Sequence, residues 1–110
     1  METSKIRTYL GFCIKARKII YGAESISRQK RGICLLLIDG GVGKNTLKPI
    51  LQASENFSCP IVMTEKDALA GLVNKPAAKA VAITDQNLAS AILSVVGDDA
   101  QFKLYSGGNN

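Results

Sequence analysis

The sequence predicts an α/β fold: a three-layer α/β/α sandwich around a central mixed sheet of about four strands. Three observations predict it. Short apolar runs of strand length alternate with longer segments in which apolar residues recur at helical spacing. One of those runs, Ile33-Cys34-Leu35-Leu36-Leu37-Ile38, is apolar throughout, as a strand covered on both faces should be. And 110 residues suffice for one domain with a modest core.

Thr3 or Ser4 can cap the first helix, in which Ile6, Leu10, Cys13 and Ile14 make one apolar face. Ile19-Ile20-Tyr21 is a short strand stopped by Gly22. The second helix is expected from about Gly22 to Arg31, ended by Gly32. After the apolar run, residues 39–44 form a loop. Asn45 or Thr46 then caps a third helix, Leu47 to about Asn56, with Pro49 in its first turn. Pro60-Ile61-Val62-Met63 is a strand led by its proline. Thr64 and Asp67 resemble a capping box opening a fourth helix over residues 65–73. Residues 75–77 turn the chain into a last strand, residues 80–84, and Asp85 caps a fifth helix carrying Leu88, Ile92, Val95 and Val96 on one stripe. The folded domain is expected over residues 1–97, with 98–110 a polar, flexible tail.

Composition narrows the function classes. No stretch approaches the roughly 20 apolar residues of a membrane span. The polar start Met1-Glu2-Thr3-Ser4-Lys5 is unlike a signal peptide. Cys13, Cys34 and Cys59 are odd in number, widely spaced and set among apolar neighbours, and the chain has no histidine. Buried free thiols in the cytoplasm are therefore expected, without metal or cofactor. The lack of histidine also removes Ser-His and Cys-His catalytic pairs, and Asp98-Asp99 and Glu65/Asp67 read as caps rather than an acid/base pair, so no catalytic constellation stands out and no small-molecule substrate is expected. Net charge is +5. Residues 1–48 hold ten Lys/Arg against three acids, whereas residues 49–110 hold four against six. Such asymmetry fits a face that binds a polyanion, and equally a solvated basic surface.

Two segments compete for the function. Gly40-Gly41-Val42-Gly43-Lys44 lies between a buried strand and a helix, where phosphate loops occur. But Asn45 stands where that motif needs Ser or Thr for Mg²⁺, and its first glycine would fall at Ile38. Asp85, the acid best placed for a metal, is better explained as a cap. The other segment runs from Gly22 to Arg31. Gly22 allows a tight turn and close backbone approach, Glu24 and Ser25 offer groups for base edges, and Arg28, Lys30 and Arg31 bring charge. Ala16-Arg17-Lys18 is expected to enter the same region.

With those residues in view, residues 5–96 resemble the kink-turn RNA-binding ribosomal-protein superfamily of the archaeal L-seven-Ae and eukaryotic L-thirty-e type, and within it the bacterial YlxQ-like proteins. The likeness rests on Leu10-Gly11 with Ala16-Arg17-Lys18, on Tyr21-Gly22-Ala23-Glu24, on the run Ile33–Ile38, on Lys44-Asn45-Thr46-Leu47-Lys48, and on residues 79–86. The resemblance implies a non-enzymatic protein that docks a kinked RNA stem-loop, such as one of ribosomal RNA, on a basic face as a monomer. It carries RNA contacts to Gly22, Ala23, Glu24, Ser25 and Arg28, and to the loop Lys75-Pro76-Ala77, with Lys44, Asn45 and Lys48 extending the phosphate-contacting face. Tight binders of this type have Asn or Lys, then Glu or Gln, where this chain has Glu24 and Ser25. A protein-interaction module on the same fold, without RNA binding, is the alternative from another class.

Overall fold

The computed structural model describes residues 5–106. The elements are α1 (Lys5–Lys15), β1 (Ile19–Tyr21), α2 (Ala23–Ser27), β2 (Leu35–Ile38), α3 (Lys44–Phe57), β3 (Ile61–Thr64), α4 (Leu69–Leu72), β4 (Ala80–Ile83), α5 (Gln86–Val95), a 3₁₀ turn (Val96–Asp98) and β5 (Phe102–Ser106). They build one mixed sheet in the order β1-β4-β2-β3-β5. The β2/β3 pair is parallel and joined by α3; the other three pairs are antiparallel.

Side-chain alternation along the central strands divides the core into two layers. Leu35 and Leu37 of β2 and Val81 and Ile83 of β4 pack with Ile6, Leu10 and Cys13 of α1 and with Ala89 and Ile92 of α5. The intervening residues Leu36, Ile38, Ala80 and Ala82 pack on the opposite side with Ile26 of α2 and with Ile50 and Ala53 of α3. All eight β2 and β4 residues are buried, as expected for strands covered by helices on both faces. This is the expected α/β/α sandwich, with five strands rather than four.

The fifth strand corrects the expected tail. Residues 102–106 pair with the free edge of β3, Thr64 opposite Phe102 and Val62 opposite Leu104, with a register shift between Ile61 and Val62. Phe102 enters the core, so the domain does not stop at residue 97. Residues 107–110, and the caps expected at Thr3 or Ser4, lie outside the described residues.

Three helices differ from expectation for identifiable reasons. α2 ends at Ser27 rather than Arg31, because the chain must turn back through Gly32, at φ 96°, to enter β2. α3 starts at Lys44, with Gly43 as its cap in place of Asn45 or Thr46. Pro49 thereby falls beyond the first turn, where its missing N–H leaves the Asn45 carbonyl without an i+4 partner. α4 is reduced to Leu69–Leu72, because residues 65–68 are held in a turn from outside the segment, as described below. The Thr64/Asp67 capping box is absent: Thr64 Oγ1 donates to the Glu65 carbonyl and Asp67 adopts φ 66°. The Asp85 cap is present, its Oδ1 accepting from the Leu88 amide at 2.9 Å.

Cys13 and Cys59 are buried, Cys34 is half-buried, and all three are free thiols. Burial pushes Cys13 and Cys59 up to about 11, so both are thiols at neutral pH. No helix among the described residues is long and apolar enough to cross a membrane.

Candidate nucleic-acid interface

The topology gathers the segments singled out in the sequence at one end of the sheet. β1 leaves the sheet at Gly22, whose N–H donates to the Ala80 carbonyl at 2.9 Å, just where the loop preceding β4 arrives. β2 leaves at Asp39, whose N–H donates to the Lys79 carbonyl at 2.9 Å. The start of α2, the glycine loop with the start of α3, and loop 74–79 are thus neighbours, although 20 to 50 residues separate them in the chain.

Gly22 has φ 88° and ψ 143°, a conformation essentially confined to glycine. Its carbonyl accepts from the Ile26 amide at 3.0 Å, so one residue closes the β1/β4 ladder and starts α2. Ala23 is half-buried and packs in the α2/α3 layer, which leaves its backbone for any ligand. Glu24, Ser25 and Arg28 are exposed. Glu24 and Arg28 pair across one helical turn at 2.8 Å, with side chains 82% and 72% exposed. The carboxylate and the guanidinium expected to act separately on RNA are partners in the free protein, held weakly because both are solvated.

Lys44, Asn45 and Lys48 are exposed at the start of α3, and the two lysines share a helix face through their i,i+4 spacing. In loop 74–79, Lys75, Pro76 and Ala77 are exposed. Lys75 Nζ stands 5.0 Å from the centroid of the Tyr21 ring, a cation–π contact that folds the loop over the end of β1. Asn74 and Ala77 take left-handed conformations, φ 57° and 64°. For Ala77 this costs about 1 kcal/mol, retained in a loop pinned by Lys75 N–H to Ala70 O at 3.0 Å and Ala78 N–H to Lys75 O at 3.2 Å.

The group that organises this end is a single buried carboxylate, at a position the sequence marks only as the first residue of a loop. Asp39 is fully buried. Its carboxylate accepts from the amides of Gly41 at 2.7 Å, Asp67 at 2.9 Å and Leu69 at 3.0 Å, and from Lys79 Nζ at 3.4 Å. Lys79 also reaches Asp67 at 3.1 Å. Asp39 therefore caps α4 from 30 residues away, which is why residues 65–68 form a turn. Burial pushes the Asp39 carboxyl up, but the three amides and Lys79 outweigh it and hold the group below its ordinary value. Lys79 is raised above its ordinary value, chiefly by its hydrogen bond to Asp67, against partial burial and with help from Asp39. The signal in the sequence was a lone acid directly after four fully buried apolar residues, but nothing local named its partners.

The glycine run answers to the same network. A Cβ on Gly40 would stand 2.7 Å from the Thr64 carbonyl oxygen and 2.8 Å from the Lys66 nitrogen, so only glycine lets the loops touch. The Gly41 amide, which a phosphate loop would offer to its ligand, is bonded to the Asp39 carboxylate. Among the described residues, no group of three or more Cys, Asp or Glu could hold a metal ion.

One expected neighbour is elsewhere. Lys18 precedes β1 and its carbonyl accepts from Thr84 beyond the far end of β4. Ala16-Arg17-Lys18 therefore lies roughly 13 Å from Gly22, at four strand residues of about 3.3 Å each.

No family model and no curated protein matches the chain. Among solved structures, the chain is similar to a protein of unknown function from Bacillus halodurans C, with TM-score 0.75 and 18% identity over 84% of this chain and 97% of that one. At that identity the likeness is one of fold.

Proposed function

We propose that the protein binds a structured RNA, of the kinked stem-loop kind, at the end of the sheet where Gly22, the start of α3 and loop 74–79 meet. The observation that carries this is the convergence itself. Three segments, the first singled out by its residue types and the other two by the resemblance to kink-turn binders, are joined there by the Gly22–Ala80 and Asp39–Lys79 hydrogen bonds and by Lys75 on Tyr21. The chemistry suits a kinked backbone. Gly22 lets a sugar–phosphate chain approach, Lys44, Lys48 and Lys75 supply phosphate partners, and the exposed Pro76-Ala77 tip gives an apolar surface for an unstacked base. The buried Asp39 network fixes both loops beforehand, so little ordering is left for binding.

On binding, the Glu24–Arg28 pair has to open or to be read as a unit. An opened pair offers a carboxylate to guanine N–H groups and a guanidinium to phosphate. A pair that stays closed presents a neutral turn, the condition under which a protein-interaction module becomes the better account.

The test is a salt titration of binding to a kinked RNA stem-loop, with a straight RNA duplex as control. Preferential, salt-dependent binding to the kinked RNA, lost in Gly22→Val, is the expected result. Equal affinity for both RNAs, or Gly22→Val binding like the native chain, would remove the assignment.

A further inference from the structure

The tertiary structure divides the positive charge of residues 1–48 between the two ends of the sheet, and five of its ten cations go to the end away from Gly22. Lys15 closes α1, and Arg17 and Lys18 follow it into β1. Across β4, the Cys34 amide donates to the Ile83 carbonyl at 2.8 Å, as the Thr84 amide does to Lys18 at 2.9 Å. At the spacing of neighbouring strands, the backbones of Lys18 and Cys34 are roughly 10 Å apart. Lys30 and Arg31 lie four and three residues before Cys34 and so within about 14 Å of it along the chain.

These five cations are exposed, and none takes part in an ion pair among the described residues. The acids nearby are few. Asp85 is committed to the Leu88 amide, and Glu55 stands in the last turn of α3. The carboxyl end of α1 carries only about half a negative charge, which one of the lysines satisfies. Most of the charge is therefore uncompensated. At the Gly22 end, by contrast, Lys79 is bound to Asp39 and Asp67.

We propose that this basic end binds the phosphate backbone of a second RNA segment, so that one protein grips a folded RNA at both ends of its sheet. The proposal rests on the reading of the chain as an RNA binder. RNA is favoured over a membrane because Phe12, in the last turn of α1, is the large apolar side chain exposed beside Lys15, and a single such side chain does not anchor a protein in a bilayer. It is favoured over an acidic protein because the cations are spread across the end of the sheet from β1 to β2, as repeated phosphate charges require, rather than meeting at one point.

The test uses the combined variant Arg17→Gly, Lys18→Ala, Lys30→Ala, Arg31→Ala; glycine suits the φ of 59° at Arg17. Native and variant proteins are titrated with a straight RNA duplex, a kinked stem-loop and polyglutamate between about 50 and 200 mM salt. The expected result is a shallower salt dependence for both RNAs, by two units or more at about one unit per lost phosphate contact, with any preference for the kinked RNA retained. Unchanged salt dependence overturns the proposal, as does loss confined to polyglutamate, which would assign the patch to an acidic protein. The pair Lys30→Glu, Arg31→Glu, confined to a segment outside the helices, gives the same readout should the fourfold variant fold poorly. If the native chain shows no kinked-RNA preference, the function proposed for the Gly22 end fails while the duplex titration still decides this one.

Discussion

The two ends of the sheet recruit charge in different ways. At the Gly22 end, a buried carboxylate, two glycines and an ammonium hold three loops in one arrangement, and cations are interleaved with acids. At the Arg17/Lys30 end five cations stand outside any ion pair among the described residues, and no buried polar group organises them. The first end is built for shape, since its loops cannot move independently of Asp39. The second offers charge without fixed geometry, which suits contacts that position a nucleic acid without reading it. Net charge is thus a poor guide to where specificity resides.

The sharpest way to break this contrast is to remove the organiser. Asp39→Ala should orphan three backbone amides and leave Lys79 with Asp67 alone, lowering stability by about 3 kcal/mol in urea denaturation. A loss below about 0.5 kcal/mol, within the range of ordinary surface changes, would mean that the network is incidental. Gly40→Ala should follow at about 1–3 kcal/mol, since its Cβ meets backbone rather than a flexible side chain; an unchanged urea midpoint would show that the loops can separate freely.

The same comparison sharpens with pH. Asp39 is held below its ordinary value of 3.8. At low pH the unfolded chain takes up its proton first. The stabilisation from Asp39 is therefore complete above that value and is lost as pH falls through the lower folded value. Stability measured from neutral pH downward should fall most steeply in the acid range below about pH 5, and Asp39→Asn should flatten that fall. Parallel curves for the two proteins would locate the titration in other acids.

The smallest effect belongs to the exposed pair. Glu24→Gln should change stability by less than about 0.5 kcal/mol, as for solvated i,i+4 pairs. For RNA, Glu24→Gln should weaken binding if the pair opens on docking and the carboxylate takes guanine N–H groups. Tighter binding would show instead that Glu24 only restrains Arg28 and makes no contact of its own.

Much of the site could be read along the chain. Gly22 is legible from residue type and position, because a turn glycine before a helix leaves a local mark, whereas Lys44, Lys48 and Lys75 are reached only through the resemblance to kink-turn binders. Asp39 and Lys79 were missed as a pair, since 40 residues separate them and their bond exists only once β4 lies beside β2. Arg17 and Lys18 were assigned to the wrong end, because nearness to Gly22 in sequence says nothing about direction along a strand. The Glu24–Arg28 pair is legible from its i,i+4 spacing, since residues four apart on a helix are neighbours.

By itself the sequence determined what short-range forces decide. The alternation of helix and strand, the burial of Leu35–Ile38 and the Asp85 cap all depend on residues within a turn or two of each other. Tertiary structure alone decided the strand order, the addition of β5 to the edge of β3, the shortening of α4 and the sorting of cations to opposite ends. Each of these depends on which backbone groups meet across the sheet. That choice is made by the burial of both faces of the sheet at once, and no local segment encodes it.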